Sequence, residues 1–130
     1  FCTFLVGNYD GSMARMAKEP LAKLRRALLD THGIGPETAD DILLYACNKP
    51  VFVVDAYTRR ILSRHGLVNR NIRYDELQDL FERHLEPDLR LFQEYHGLLV
   101  FVGKDFCRRT PRCESCPLRV LLEPGQPVLE

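Results

Sequence analysis

The sequence predicts an all-α protein, and three observations carry that expectation. Apolar residues recur three or four positions apart in several stretches separated by Gly and Pro. The β-branched run from Val51 to Val54 is isolated and has no second strand-like segment to pair with. No internal repeat is visible in the 130 residues, a length that suits one domain or two small lobes sharing an interface.

The elements follow in order. Phe1 to Tyr9 already reads as the body of an apolar helix, so the chain is expected to be a fragment of a longer protein. Pro20 stands where a first helical residue is favoured, and Leu21, Leu24 and Leu28 form an apolar face ending near His32 and Gly33. Pro36 opens the next helix, with Glu37 complementing the dipole in its first turn and Ala39, Ile42, Leu43 and Ala46 as its apolar stripe. Asn48, Lys49 and Pro50 break that helix. Val51 to Val54 then reads as an extended, buried connector. Asp55 has the position of an N-cap for a helix from Ala56 to His65, which Gly66 ends. Asp75 with Gln78 resembles a capping box that opens a helix to about Leu85. Pro87 and Asp88 start the last long helix, which carries Leu91, Tyr95, Leu98, Leu99, Val102 and Phe106. After Cys107 the chain is loop-like with a short turn near Leu118, and residues 123–130 read as a loose tail.

Composition narrows the function classes. An apolar fraction of 45% allows a real core, and no stretch approaches the length of a membrane span. The five cysteines are an odd number, which argues against a disulfide framework; Cys2 and Cys47 read as small buried residues. An intracellular protein is expected. Formal net charge is zero, but it is unevenly spread. Arg59, Arg60, Arg64 and Arg70 fall in a stretch without an acid, Lys104, Arg108, Arg109, Arg112 and Arg119 form a second basic stretch, and the segment from Arg73 to Glu94 is acidic. Local patches of this kind, rather than net charge, make a phosphate-binding surface.

The strongest local signal is His32-Gly33-Ile34-Gly35-Pro36-Glu37-Thr38-Ala39 between two helical patterns. Two glycines one residue apart permit a very tight turn, and the free amides of the next helix favour an anion such as a DNA phosphate. The same residues also suit a plain αα-hairpin with Ile34 packed between the helices. Twenty residues after Gly35 comes Val53-Val54-Asp55-Ala56-Tyr57-Thr58-Arg59-Arg60. From Leu21 through Pro117 this arrangement resembles the helix-hairpin-helix DNA glycosylases of the endonuclease III superfamily, in which a hairpin precedes a loop with a catalytic aspartate. The runs G-I-G-P-E-T-A-D-x-I-L-L-Y-A and V-V-D-A-Y look closest to the branch holding 3-methyladenine glycosylases and endonuclease III-related proteins.

The resemblance implies a helix-hairpin-helix glycosylase fold of which this chain is the C-terminal portion, without the N-terminal helices. Residues 1–50 would form a partial helical-barrel lobe with the hairpin, 51–106 a second helical lobe opening with the catalytic loop, and 107–130 the cysteine-containing loop and tail. It implies Asp55 as the catalytic residue and His32, Gly33, Ile34, Gly35, Glu37, Thr38 and Arg59 as DNA contacts. The partner would be double-stranded DNA with a damaged base, and the intact protein a nucleoid-associated cytoplasmic monomer. The chemistry agrees independently: breaking an N-glycosidic bond builds positive charge on the sugar, which a carboxylate stabilises while it orients the attacking water.

Two departures from the family pattern matter. Members that also cut the strand carry a lysine two residues past the second glycine of the hairpin, where its amine forms an imine with the sugar. Glu37 stands there, and Lys49 lies at the far end of that helix. A monofunctional enzyme acting on alkylated bases is therefore expected, with a bifunctional glycosylase–lyase or a non-enzymatic DNA-binding module as alternatives. Cys107, Cys113 and Cys116 resemble the family's iron–sulfur loop, C-x6-C-x2-C-x5-C, but the first gap is one residue short and Leu122 stands at the fourth ligand position. A [4Fe–4S] cluster completed from outside and a degenerate, metal-free loop both stay open. A zinc site of three cysteines and a histidine is disfavoured, because no histidine follows His96.

Overall fold

The computed structural model describes residues 1–129, and among them the chain is helical with no strand. Seven α-helices follow one another: α1 (Cys2–Tyr9), α2 (Met13–Met16), α3 (Leu21–Leu29), α4 (Pro36–Asp41), α5 (Ala56–Arg64), α6 (Tyr74–His84) and α7 (Leu89–Asp105). Helix α4 runs straight on into a wide π-helical turn, Ile42–Ala46, and two short 3-10 turns, Cys113–Ser115 and Arg119–Leu121, follow α7. No helix of the described residues is long and apolar enough to cross a membrane.

Local chemistry sets most boundaries. Pro20 caps α3 from just outside it, whereas Pro36 is the first residue of α4, where a missing N–H costs nothing. Gly66, with φ of 69°, ends α5 in the left-handed conformation that suits glycine. The side chain of Asp88 accepts from the Leu91 N–H at 2.8 Å and opens α7. At α6 the cap differs from expectation. The Arg73 N–H donates to the Glu76 carboxylate at 3.3 Å, a one-sided cap, because the Arg73 guanidinium has no acceptor to return. Asp75 pairs with the Arg73 side chain instead, and Gln78 is buried.

Gln78 and Glu82 explain how residues 51–54 can be extended and buried without a sheet. Val51, Phe52, Val53 and Val54 are all at most 4% exposed. The Phe52 N–H donates to Glu82 Oε1 at 3.0 Å, and the Phe52 carbonyl accepts from Gln78 Nε2 at 2.8 Å. Side chains of α6 thus replace the ladder a neighbouring strand would supply. The Phe52 ring stacks on Phe81 at 4.2 Å and meets Phe92 and Tyr95 edge-on.

A second polar cluster joins α3, α4 and α6. Asp40 is fully buried; Arg25 grips both its oxygens at 2.7 and 3.0 Å. The Tyr74 hydroxyl and Gln78 Nε2 each donate to Asp40 Oδ2 at 2.8 Å. Burial, first, and the adjoining Asp40 carboxylate push the Tyr74 phenol far up, so it stays a donor.

Several expected features differ. On α7 the inner face is Phe92, Leu99, Val102 and Gly103, while Leu91 and Leu98 are exposed. Leu98 stands roughly 100° round the helix from buried Leu99, which turns it outward. Cys2 is exposed, whereas Cys47 is buried; the short helix α1 buries none of its residues completely. The tail is docked rather than loose: Gln126 Nε2 donates to the His65 carbonyl at 2.7 Å and the Val128 N–H to the Arg64 carbonyl at 2.8 Å. Glu130, the last residue of that expected tail, lies outside the described residues.

Helices α5 and α7 come close together at Gly103. A Cβ there would lie 2.6 Å from Tyr57 Cγ and 2.7 Å from Tyr57 Cβ. The Tyr57 Cβ is tethered to its backbone and cannot swing aside, so Gly103→Ala must push the helices apart. The expected loss is about 1–3 kcal/mol in chemical denaturation; an unchanged midpoint would mean that this contact is slack.

Candidate active site

Asp55 follows the buried connector and caps α5 from an extended conformation, φ −136° and ψ −172°. Its Oδ1 accepts from the Thr58 N–H at 2.9 Å and from the Thr58 hydroxyl at 3.0 Å. The Thr58 hydroxyl in turn accepts from the Asp55 N–H at 3.3 Å, which closes a capping box. A cap needs only one carboxylate oxygen. The other, Oδ2, accepts from His96 Nε2 at 3.1 Å, across from α7.

Each carboxylate oxygen can accept about two hydrogen bonds. Oδ1 has both filled by Thr58, whereas Oδ2 has only His96, so Oδ2 retains capacity for a water or for charge on a substrate. Burial pushes the Asp55 carboxyl up, but the hydrogen bonds from His96 and Thr58 outweigh it and hold the group below the usual carboxylate range. Asp55 is thus an ionised carboxylate in a nearly closed setting, with 9% of its side chain exposed.

Other groups converge here. The Tyr45 hydroxyl lies 2.6 Å from His96 Nδ1 and 3.4 Å from the Gln93 carbonyl, and 46% of Tyr45 is exposed. Gln93 Nε2 donates to the Leu44 carbonyl at 2.9 Å, which fastens α7 to the π-helical turn. The hydrogen bond to Asp55 raises the His96 pKa; burial opposes that, and the charges of Asp55, Asp41 and Glu37 add to it. Burial and the charges of Asp55 and Asp41 raise the Glu37 carboxyl, with His96 and Arg59 acting the other way. Asp41 is raised by burial, His96 opposing and Asp55 and Asp40 adding. Glu37, Asp41 and Tyr45 sit on successive turns of one helical run and share electrostatic reach with Asp55.

The hairpin expected to grip DNA is exposed at His32, Gly33, Gly35, Glu37 and Thr38, with Ile34 half-buried against the core. Gly33 takes φ of 84°, a left-handed turn, and open space surrounds both glycines where a Cβ would stand. Arg59 is half-buried and its Nε donates to the Ile72 carbonyl at 3.2 Å. Its neighbours in the basic stretch turn inward. Arg60 donates to the Cys107 and Gly103 carbonyls at 2.6 and 2.8 Å, and Arg64 to the Arg109 carbonyl at 2.9 Å.

Those arginines hold the loop of Cys107, Cys113 and Cys116. Arg64 Nη1 reaches Cys107 Sγ at 3.4 Å, and burial, with help from the neighbouring thiols, raises the Cys113 pKa. The space between the three cysteines is about 20 Å³, walled by Ile61, Val102, Leu118 and Leu122. Among the described residues no group of three or more His, Cys, Asp or Glu is set to hold a metal ion. Three thiols do not by themselves fit a four-cysteine cluster.

Of the three rings Tyr45, Phe52 and Tyr57, Tyr45 is the exposed one and sits on His96, the partner of Asp55. Phe52 is fully buried in the aromatic core and Tyr57 packs under Arg60 against Gly103. His96 and Asp41 went unnoticed in the sequence. The signal for His96 was its place on α7 between Phe92 and Leu99, on the buried edge of an amphipathic pattern.

No family model matches the chain. Among individual proteins, it is 47% identical over 118 residues to a protein of Methanocaldococcus jannaschii provisionally named a DNA repair glycosylase, covering 89% of this chain and 53% of that one. An endonuclease III of Sulfolobus acidocaldarius is 33% identical over 98 residues, 75% of this chain and 43% of that protein. A thymine/uracil-DNA glycosylase of Pyrobaculum aerophilum is 34% identical over 99 residues, 72% and 43% respectively. The chain spans about half the length of the curated relatives it matches.

Proposed function

The chain belongs to the endonuclease III superfamily of DNA glycosylases, and from that premise we propose that the protein hydrolyses the N-glycosidic bond of damaged bases in duplex DNA without cutting the strand. The observation that carries this reading is an ionised Asp55 held by Thr58 and His96, with Glu37 at the hairpin position within its electrostatic reach. The Asp55 carboxylate would stabilise the positive charge that grows on the sugar and orient the attacking water through the free capacity of Oδ2. A carboxylate at position 37 cannot form the imine that strand cleavage needs. The hairpin residues His32 to Thr38 and Arg59 would hold the backbone on either side of a flipped nucleotide.

Cationic alkylated purines are the substrates this site suits. Methylation of a ring nitrogen makes the base a good leaving group that needs little acid assistance. Glu37, Asp41 and Asp55 give the site a negative potential, and the exposed Tyr45 ring offers cation–π attraction of about 0.5–2 kcal/mol.

Duplexes with single lesions test this, with base release and nicking scored separately beside borohydride trapping. Release of 3-methyladenine or 7-methylguanine, intact abasic strands and no covalent adduct are expected. A trapped adduct would overturn the monofunctional assignment, and release of thymine glycol but of no methylated purine would overturn the substrate assignment. Tight binding without release from any duplex would instead indicate a DNA-binding module.

A further inference from the structure

His96 is a histidine with both nitrogens engaged, 12% exposed, reaching the aspartate from another helix. We propose that His96 is a positioning residue for Asp55, with Tyr45 holding its outer nitrogen, so that the rate of base excision follows the charge state of His96. The inference rests on the reading of Asp55 as the catalytic carboxylate.

The hydrogen-bond inventory supports it. A neutral imidazole carries one proton, on Nδ1 or on Nε2. With the proton on Nδ1, a bare Nε2 lone pair would face the Asp55 carboxylate. Asp55, an acceptor only, excludes this and holds the proton on Nε2, aimed at Oδ2; the Tyr45 O–H then donates to the bare Nδ1 across 2.6 Å. In the imidazolium form Nδ1–H donates to the Tyr45 oxygen instead, and the phenol proton turns toward the Gln93 carbonyl at 3.4 Å. Nε2–H stays on Asp55 in both states. Protonation therefore leaves the geometry in place and changes only the charge beside the carboxylate.

The sign follows. An imidazolium next to Asp55 cancels part of the negative charge that a developing sugar cation requires. Losing the Nδ1 proton restores it, so excision rises as pH climbs through the His96 titration. The charged and titratable groups facing His96 are Glu37, Asp41 and Tyr45 from the helical run before the connector, and Asp55 from the start of α5. The three carboxylates move that titration above the ordinary histidine value, and Asp55 itself is still ionised below it.

The test is single-turnover excision by the complete polypeptide on a duplex it acts on, between about pH 5 and pH 8, where histidine changes charge. The wild-type rate should rise across that interval. His96→Gln keeps a donor at the Nε2 position without a titration, so its rate should stay within about threefold of the wild-type plateau while the rise disappears. His96→Ala should lose roughly 10- to 100-fold. Tyr45→Phe removes the partner of Nδ1 in both charge states and should lower the rate across the whole profile. DNA affinity should be unchanged in all three. Independently of activity, the His96 ring resonance should titrate above the ordinary value and move down in Asp55→Asn. A His96→Ala rate and profile superposable on an active wild type, or a His96 midpoint indifferent to Asp55→Asn, overturns this inference alone. A wild type that releases no base overturns the glycosylase reading and the rate claim with it.

Discussion

Asp55→Asn in the complete polypeptide is expected to abolish base release, with a drop of at least about 100- to 1000-fold in the single-turnover rate. The fold should survive. An asparagine oxygen still accepts from the Thr58 N–H and keeps the cap on α5, while the loss of the acceptor for His96 Nε2–H should cost about 1–3 kcal/mol. DNA affinity should be intact or improved, since one negative charge near the phosphates is gone. Native Asp55, held below the usual carboxylate range, contributes stability that is present above its unfolded pKa of about 3.9 and lost as pH falls through the depressed value. The variant lacks that acid-dependent part. Unchanged excision by Asp55→Asn, measured on a duplex from which the wild type releases a base, would remove the aspartate from the mechanism.

Asp40→Ala should do the reverse, damaging the fold without touching the chemistry directly. The substitution strips four hydrogen bonds from Arg25, Tyr74 and Gln78 and leaves donors buried with no acceptor. Removing one partner of a buried pair typically costs about 3–5 kcal/mol, a large share of a small domain's stability. Urea denaturation of the two proteins measures it. Asp40→Asn, which keeps the shape and one acceptor, should fall between wild type and Asp40→Ala. Equal midpoints for all three would mean that α3, α4 and α6 are held by apolar packing alone.

The fold was legible wherever one residue decides a local conformation. Pro36, Gly66 and Asp88 mark boundaries through a missing N–H, a positive φ and a short capping side chain, and each does so in the structure. The buried connector was legible from its β-branched run, but the source of its hydrogen bonds was not. Gln78 and Glu82 lie far along the chain from Phe52, and nothing in the local pattern tells a core-facing glutamine from a capping one. Asp75 and Gln78 were misread for that reason. The catalytic candidate showed itself through the spacing from Gly35 to Asp55, a property of neighbours in sequence. His96 did not, because its pairing with Asp55 depends on how α5 crosses α7. The arginines of α5 misled similarly: clustered charge in sequence reads as a surface, whereas Arg60 and Arg64 spend theirs on carbonyls of the cysteine loop.

The π-helical turn at Ile42–Ala46 gives insertions and deletions a particular weight in this chain. The Cys47 N–H bonds to the Ile42 carbonyl at 3.0 Å, five residues back instead of four. A turn of this kind holds one more residue than a regular helical turn, and each α-helical residue rotates the chain by about 100°. Deleting a single residue between Ile42 and Tyr45 would let the ladder close as ordinary α-helix. Every side chain would be retained but one, yet the tyrosine would be carried off the histidine. The loss or gain of one residue in this turn would therefore alter the pairing more than an exchange of residue type. Two chains identical at Asp55 and His96 but one residue apart in this turn would place different side chains beside that pair.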